Sequence, residues 1–252
     1  MSFRTRVYRT METPHTAMEL YEFTNRRGID VSWIVEAGCH DAGDTELLST
    51  IFSTSTIYAF EPDPVAFENA KSRIETLISK GHSIQLSKIA LMNVTGDGGL
   101  TFVGEPGGGS TQIQNTEIEN QDHRVQVSKF DDLNIPETSK GLLWLDVEGN
   151  AVSALQGMQA SLHKFNVAKI EVEFHNMSQG RMRNYQEVIA LMKLANFRIV
   201  KSDNQPGFFG DMLFVHSTQI NFIRSLESIL ITWTTHLLHG FVYPILKKPK
   251  RI

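Results

Sequence analysis

Short apolar runs alternate with amphipathic helical segments along most of the chain, and this alternation limits the possible folds more than any other feature. Leu142–Val147 is a nearly continuous apolar run, as expected of a strand that is buried on both faces. The segment from Tyr185 to Met192 places its apolar side chains at helical spacing. The alternation predicts an α/β fold, in which a mostly parallel, doubly wound sheet carries helices on both faces.

The predicted elements follow one another in the order expected of such a sheet. Helices are predicted for Thr16–Arg27, for a segment that Asp44 or Thr45 caps and that runs to about Ser53, for Asp63 to Lys80, and for a segment that Asn150 caps. Strands are predicted at Trp33–Ala37, Thr56–Phe60, Ser83–Leu91, Leu142–Val147, Ala168–Phe174, Phe197–Ser202 and Met212–His216. The last two strands have no helix between them, which predicts that the final strand is antiparallel.

The chain of 252 residues suits one large domain with short extensions. We expect a helical extension over residues 1–32, the main domain over residues 33–216 and a helical tail over residues 217–252. A net charge of −4 provides no basic surface for nucleic acid, so no nucleic-acid partner is expected. No apolar run follows Arg4, Arg6 and Arg9, so these residues do not indicate a secretory signal and a cytoplasmic location is expected.

The loop after the first strand, Glu36–Thr45, matches neither of the common phosphate-binding motifs. Asp44 occupies the position where a P-loop requires lysine, and the G-x-G-x-x-G spacing of a dinucleotide fingerprint is absent. Asp41, Asp44 and Glu46 lie at the start of the next helix, where the helix dipole would otherwise favour an anion. A cofactor with cationic groups, such as S-adenosylmethionine, fits this loop better; a purely structural glycine turn is the alternative.

A second carboxylate, Glu61, directly follows the predicted strand Thr56–Phe60. An acidic residue about 20 residues beyond the first glycine turn commonly accepts hydrogen bonds from ribose hydroxyls. A carboxylate can accept from both hydroxyls at once. Glu61 is therefore predicted to bind the ribose of the cofactor, and an ordinary surface glutamate is the alternative.

Six stretches of the chain resemble the FkbM family of class I methyltransferases. They are Glu36–Thr45, Tyr58–Pro64, Lys88–Leu91, Val125–Leu133, Gly141–Leu155 and Lys169–His175. The resemblance extends from about Ile34 to His216, and the block Asp146-Val147-Glu148-Gly149 is its most specific part. It implies the class I methyltransferase Rossmann-like fold, whose doubly wound sheet has seven strands with the last antiparallel. It also implies S-adenosylmethionine as the cofactor and a hydroxyl, often on a sugar or a glycosylated metabolite, as the methyl acceptor.

By position, the resemblance assigns Glu36 and Gly38 to the cofactor-binding first motif and Glu61 to the ribose. The full set of predicted cofactor-binding residues is Glu36, Gly38, His40, Asp41, Thr45, Glu61, Ala90 and Asp146. The chain departs from the family where Ala42 replaces a common glycine and where Cys39-His40 replaces a common Ala-Asn. Both departures concern the contacts around the cofactor.

Methyl transfer to an alcohol needs a group that accepts the hydroxyl proton, because a neutral alcohol is a poor nucleophile. Asp146 is the first candidate for this catalytic role, and Glu148, Glu173 and His175 are further candidates. The alternatives are that Asp146 only orders the turn before Gly149 and that His175 has no catalytic role. Converging carboxylates also suit a divalent cation such as Mg²⁺, although their spacing does not require one.

Residues 222–241 place apolar side chains along one side of a predicted helix, and basic residues follow. The apolar residues are Phe222, Leu226, Ile229, Leu230, Trp233, Leu237 and Phe241, and the basic ones are Lys247, Lys248, Lys250 and Arg251. Three interpretations stay open: peripheral contact with a membrane, contact between copies in a homo-oligomer, and packing on the chain's own domain.

The leading functional hypothesis is an S-adenosylmethionine-dependent O-methyltransferase acting on a sugar, a glycan or a glycosylated small metabolite, as in glycan biosynthesis. Phe208 and Phe209 are expected to form an exposed aromatic surface for the acceptor. The alternatives are a non-catalytic S-adenosylmethionine-binding scaffold protein of a biosynthetic cluster and an NAD-linked oxidoreductase. The acid-rich first loop argues against the oxidoreductase.

Overall fold

The computed structural model describes residues 13–102, 111–114, 123–137, 139–174, 184–203, 209–220 and 222–242. Its strands are β1 Trp33–Ala37, β2 Thr56–Phe60, β3 Ile84–Ser87, β4 Ala90–Leu91, β5 Gly96–Phe102, β6 Thr111–Gln114, β7 His123–Ser128, β8 Gly141–Leu145, β9 Phe165–Glu173, β10 Phe197–Ser202 and β11 Phe209–His216. Its α-helices are α1 Ala17–Asn25, α2 Gly43–Ile51, α3 Pro64–Ser79, α4 Ala151–Gln156, α5 Tyr185–Leu194 and α6 Phe222–Leu237.

Seven strands form the main sheet, in the order β10-β11-β9-β8-β1-β2-β3. The pairs from β9 through β8 and β1 to β2 and β3 are parallel, whereas β11 runs antiparallel to both β9 and β10. The predicted seven-stranded, doubly wound sheet with an antiparallel last strand is therefore confirmed. Because parallel strands end at one edge of a sheet, the loops after β1, β2, β8 and β9 all lie at that edge, which we call the carboxyl edge.

The main sheet separates two apolar cores, because successive side chains of a strand point to opposite faces. On β8, Leu142 and Trp144 pack with residues of α1, α2 and α3, whereas Leu143 and Leu145 pack with residues of α4 and α5. All five residues of β8 are buried. This two-sided burial explains why the sequence of the strand shows no alternation of polar and apolar residues.

The helix that precedes the sheet, α1, packs in the core on the face of the sheet that α2 and α3 also cover. It begins after Thr16, whose side chain forms a capping box with Glu19. Its Tyr21 ring meets Phe52 edge-on, with the ring centroids 5.3 Å apart. At the other end of the chain, α6 packs on β10. None of the helices in the described ranges is both long enough and apolar enough to span a bilayer.

The single strand predicted at Ser83–Leu91 is wrong. β3 belongs to the main sheet, but β4 lies in a second sheet of the order β4-β7-β5-β6. Short extended segments at Leu100–Val103 and Arg124–Val127 are predicted from sequence and overlap β5 and β7, but their pairing into a separate sheet is not. The apolar alternation changes phase between Leu86 and Ile89, and this shift is the sequence signal of the break. The break allows the segment around β4 to approach the carboxyl edge of the main sheet.

The start of α3 follows the prediction, whereas the cap predicted for α4 is only half correct. Oδ1 of Asp63 accepts hydrogen bonds from the amides of Val65 at 2.7 Å and Ala66 at 3.1 Å, as a helix cap should. Asn150 does precede α4, but its side chain caps no amide. Instead, its Nδ2 donates to the carbonyl of Val147 at 3.3 Å and so ties the turn after β8.

The cap predicted for α2 at Asp44 or Thr45 is also wrong. The helix begins at Gly43, and Ala42 precedes it in the left-handed conformation, with φ of 63° and no side-chain cap. Alanine adopts this conformation at a cost of about 1–2 kcal/mol, whereas glycine adopts it readily. The backbone at Ala42 therefore has the conformation that favours glycine, and the loop adopts it with alanine.

Gly157, at the end of α4, is predicted to be irreplaceable on steric grounds. A Cβ atom there would lie 1.8 Å from the carbonyl oxygen of Met92. We expect Gly157→Ala to lower the free energy of unfolding by about 3 kcal/mol, because backbone must move to relieve the contact. Gly28→Ala is the control, since Gly28 has φ of +64° but no atom within 4 Å of its Cβ position, and should lose about 1 kcal/mol. Equal losses in urea denaturation would contradict the prediction.

Candidate active site

A cavity of about 240 Å³ opens at the carboxyl edge, between the ends of β1, β2 and β8 and the segment around β4. Five of the predicted cofactor-binding residues line it together, namely Gly38, His40, Glu61, Ala90 and Asp146. The predicted catalytic residue Glu148 also lines it. An apolar wall completes the cavity and consists of Phe60, Pro62, Ile89, Leu91 and Val147. The cavity thus combines an acidic side with an apolar side.

Gly38 joins the first loop to the turn after β8. It has φ of +84°, and a Cβ atom there would lie 1.7 Å from the carbonyl oxygen of Asp146. Nearby, the amide of Asp146 donates to the carbonyl of Ala37 at 3.0 Å, and the amide of Gly38 donates to Phe60 at 2.9 Å. A side chain at this position would force the loops apart. The glycine is therefore required by backbone contact, whether or not it also touches a cofactor.

Glu61 links the first loop to the second. Its side chain is buried, and its Oε2 accepts from the amide of His40 at 2.8 Å while its Oε1 accepts from the amide of Asp63 at 2.8 Å. Each carboxylate oxygen has a second acceptor position, so these bonds leave capacity for hydroxyl donors. Burial raises the pKa of Glu61, and the two amide hydrogen bonds oppose that rise.

Glu36 lies behind the cavity and is almost completely buried, with 1% of its surface exposed. Burial raises its pKa to about 8, the Thr45 hydroxyl opposes that rise, and the nearby Asp44 carboxylate adds to it. Within the described residues, Oε2 of Glu36 and Oγ1 of Thr45 complete no hydrogen bond. A buried carboxylate oxygen without a donor is unusual and leaves room for a cationic or hydrogen-bonding ligand group.

A cluster of three carboxyl groups, Asp146, Glu148 and Glu171, lies where the ends of β8 and β9 meet. Oxygens of the three side chains lie within 4.8 Å of one another. Burial raises the pKa of Asp146 to about 6, and the charge of Glu148 adds to the rise. Burial and the charge of Asp146 raise the pKa of Glu171 to about 9. These raised pKa values favour a proton held within the cluster at neutral pH.

The three-carboxylate cluster has a spacing that a divalent cation could bridge. Exposed and half-buried acidic groups often cluster without one, so the arrangement by itself assigns no metal. The backbone of Glu148 is left-handed, with φ of 48°, a conformation that residues other than glycine rarely adopt. This conformation directs the Glu148 side chain into the cluster.

A buried ion pair lies beside this cluster. Nζ of Lys169 on β9 is 2.8 Å from Oδ1 of Asp211 on β11, and both side chains are largely buried. The same ammonium lies 4.2 Å from the ring centroid of Trp144. The positive charge of Lys169 lowers the pKa of Asp146 and so partly offsets the effect of burial. The antiparallel strand β11 thus contributes to the electrostatics of the site.

Four predicted site residues within the described ranges do not line the cavity, namely Glu36, Asp41, Thr45 and Glu173. The carboxylate of Asp41 turns to Arg73, at 2.9 Å, and accepts from the amide of Gly43 at 3.0 Å. Glu173 is buried, and its carboxylate accepts a hydrogen bond from the side-chain amide of Asn184. His175 lies outside the described residues. The catalytic roles of Glu173 and His175 remain predictions from sequence.

Three residues of the site were not predicted from the sequence, namely Glu171, Lys169 and Asp211. Lys169 carried a usable signal, because a lysine within an otherwise apolar strand needs a buried partner. Its partner could not be named from sequence, since Asp211 comes from a distant strand that pairs antiparallel with β9.

The chain is similar to a known protein family: the family model of the methyltransferase FkbM domain matches residues 36–199. No match was found among curated proteins. The matched family region contains the cavity, both acidic loops and the carboxylate cluster described above.

Solved structures of methyltransferases are similar in fold. A putative sarcosine dimethylglycine methyltransferase from Galdieria sulphuraria has a TM-score of 0.51 at 10% identity, covering 80% of this chain and 85% of that one. A S-adenosylmethionine-dependent methyltransferase from Clostridium acetobutylicum has a TM-score of 0.50 at 9% identity, covering 79% and 90%. Magnesium protoporphyrin IX methyltransferase from Synechocystis PCC 6803, with bound S-adenosylmethionine, gives 0.47 at 10% identity, covering 80% and 78%.

At such low identity the similarity to solved structures concerns the fold alone, whereas the family match extends over more than half of the chain and includes its acidic motifs. The chain therefore belongs to the FkbM methyltransferase domain family and is an S-adenosylmethionine-dependent methyltransferase.

Proposed function

We propose that the enzyme methylates a hydroxyl group of a sugar, a glycan or a glycosylated small metabolite. The observation that carries the proposal is the charge of the carboxyl edge, where Glu61 and Asp146 line one cavity and Glu36 lies buried behind it. None of the residues found to line this cavity is lysine or arginine. Such a site favours a cofactor with cationic groups and disfavours phosphates.

The residues present fit S-adenosylmethionine, which when bound supplies a methyl group on a positively charged sulfur. The unpartnered Oε2 of Glu36 suits an ammonium group. Glu61 has acceptor positions left for ribose hydroxyls, and the apolar wall around Phe60 and Leu91 suits an adenine ring.

The proposed catalytic chemistry rests on the different pKa values within the carboxyl cluster. Asp146, with a pKa of about 6, is largely ionised at neutral pH and accepts the proton of the acceptor hydroxyl. Glu171, with a pKa of about 9, stays protonated and can donate a hydrogen bond to the acceptor. The positive charge of Lys169 supports the ionised state of Asp146, whereas the carboxylate of Asp211, its ion-pair partner, opposes it.

A polyhydroxylated acceptor is supported by the groups at the same edge. Several carboxyl groups there accept hydrogen bonds, which sugar hydroxyls donate. Phe209 begins β11 opposite Glu173 and is 54% exposed, so its ring offers a flat apolar surface for the face of a sugar ring. Phe208, its predicted companion, lies outside the described residues.

Transfer of a labelled methyl group to a panel of free sugars, nucleotide sugars and glycosides tests the proposed function. A labelled product that survives mild alkali is expected, because methyl ethers resist the hydrolysis that cleaves methyl esters. Reactions with and without a chelator show whether a divalent cation takes part. Binding of S-adenosylhomocysteine without transfer to any hydroxyl compound would instead support the scaffold alternative.

Glu61→Ala is expected to weaken the binding of S-adenosylhomocysteine at least about tenfold, because charge-assisted hydrogen bonds contribute about 1.5–3 kcal/mol. Glu137→Ala is the control. Glu137 accepts a hydrogen bond from Tyr58, a residue of the strand β2 that precedes Glu61, but does not line the cavity. Titration calorimetry measures the dissociation constants, and thermal melts report any loss of stability. Wild-type affinity in Glu61→Ala would exclude Glu61 from the cofactor site.

The affinity for S-adenosylmethionine is expected to rise with pH up to about 8. The raised pKa leaves Glu36 mostly protonated at neutral pH, and the carboxyl must lose this proton before it pairs with an ammonium group. Each pH unit below the pKa therefore reduces affinity by up to about tenfold. Calorimetry on Glu36→Gln provides the comparison, because the amide does not titrate. An unchanged pH slope in that variant would remove Glu36 from ammonium binding.

Asp146→Asn is expected to reduce kcat by about 10²- to 10⁴-fold, as removal of a general base does. In the wild-type enzyme, kcat should rise as the pH increases through about 6, where Asp146 ionises. Asp30→Asn is the matched comparison, since Asp30 is exposed, lies 3.1 Å from Nζ of Lys140 and does not line the cavity. It should leave kcat unchanged. Steady-state kinetics that leave kcat intact in Asp146→Asn would refute the assigned role.

A further inference from the structure

α6 exposes a stripe of large apolar side chains, which we call the apolar stripe. It consists of Ile229, Leu230, Trp233 and Leu237, which are 58, 64, 73 and 53% exposed. Their spacing places them on one side of the helix, while Thr235 on the opposite side is fully buried. Four exposed residues of this size form a contiguous apolar surface, and such a surface usually marks an interaction site.

Positive charge borders the apolar stripe. A groove of about 380 Å³ lies between α6, α5 and β10, and its floor includes Phe197 and Phe214. The groove is lined by Ile229 and Trp233 of the stripe and by two cations, Lys193 and Arg198. The amino-acid sequence has no acidic residue from 228 to 252, and it places four basic residues between positions 247 and 251. The groove beside the stripe therefore complements an anionic partner through Lys193 and Arg198.

The path of α6 brings the apolar stripe toward the active site. β11 ends at His216, which lies opposite Phe197 at the edge remote from the cavity. α6 then packs on β10, and the turn that follows it reaches the carboxyl edge. There, His239 stacks on Phe174 with ring centroids 3.6 Å apart, and its Nε2 donates to the carbonyl of Asp203 at 2.9 Å. A surface that contacts the stripe also lies close to the edge of the sheet where the cavity opens.

We propose that the apolar stripe docks on the surface of a lipid bilayer with anionic headgroups. The apolar side chains would enter the boundary between headgroups and acyl chains, and Lys193 and Arg198 would contact phosphate groups. Trp233 fits this location, because indole rings favour the membrane interface. A symmetric second copy fits less well, since it would bring the same cations together without acidic residues on the stripe to neutralise them.

Co-sedimentation of the full-length chain with vesicles tests the proposal. Vesicles of equimolar phosphatidylcholine and phosphatidylglycerol should bind at least about tenfold more strongly than vesicles of pure phosphatidylcholine, and salt should reduce the difference. Tryptophan emission should shift to the blue on binding. Trp233 would be the source, because Trp33 and Trp144 are already buried, and the shift should be lost in Trp233→Phe.

A matched pair of double variants separates docking from general surface hydrophobicity. Ile229→Ser with Leu230→Ser should weaken vesicle binding at least about tenfold, because each side chain loses its burial in the lipid. Ile78→Ser with Leu47→Ser makes the same chemical change on α3 and α2, where these residues are 47 and 48% exposed on the other side of the sheet. This control should bind vesicles like the wild type. Circular dichroism confirms that both double variants fold.

Lys193→Glu with Arg198→Glu should remove the preference for anionic vesicles. The proposal would be overturned if the chain bound neither kind of vesicle, or if both serine double variants weakened vesicle binding equally. It would also be overturned if the chain formed a dimer without lipid, as measured by sedimentation velocity, and Ile229→Ser with Leu230→Ser dissociated that dimer. The last result would assign the stripe to a second copy of the chain. Vesicle binding is measured without methyl transfer, so these results do not depend on the proposed acceptor.

Discussion

The approach of Gly38 to the carbonyl of Asp146 is the contact on which the active site depends. It leaves no space for a side chain and brings the loops after β1 and β8 together at the carboxyl edge. Each of these loops carries acidic residues, and Glu61 adds a further carboxylate while it accepts hydrogen bonds from the amides of His40 and Asp63. Backbone packing therefore forces together groups whose charges repel one another.

The consequences of this crowding are visible in the pKa values of the buried acids. Burial and mutual repulsion raise the pKa of Glu36 to about 8 and that of Glu171 to about 9, while Asp146 reaches only about 6. Lys169 is the nearby cation that limits the rise at Asp146, and its own charge is balanced by Asp211. A ligand that brings positive charge to Glu36 would offset the effects of burial and of the neighbouring carboxylates on this side chain. The same crowding thus favours a cationic cofactor and the retention of a proton among the acids.

The sequence predicted the parts of this arrangement that depend on local pattern. Strand ends could be located from apolar runs, and the parallel topology then placed Glu61 and Asp146 at one edge, where both line the cavity. What it missed depends on long-range geometry. Asp211 meets Lys169 only because β11 inserts antiparallel between β9 and β10. Asp41 was expected at the cofactor but turns to Arg73, a residue of α3.

The last strand and the helix after it connect the chemistry to the outer surface of the protein. β11 supplies Asp211 to the acidic site and begins with the exposed ring of Phe209. Its far end leads into α6, which returns beside β10 and is fixed at the carboxyl edge by His239 on Phe174. Because α6 is anchored at that edge, the orientation of the apolar stripe is set by the same packing that shapes the acceptor side of the site. Docking through the stripe would consequently bring the surface that it contacts close to the edge at which the acceptor is methylated.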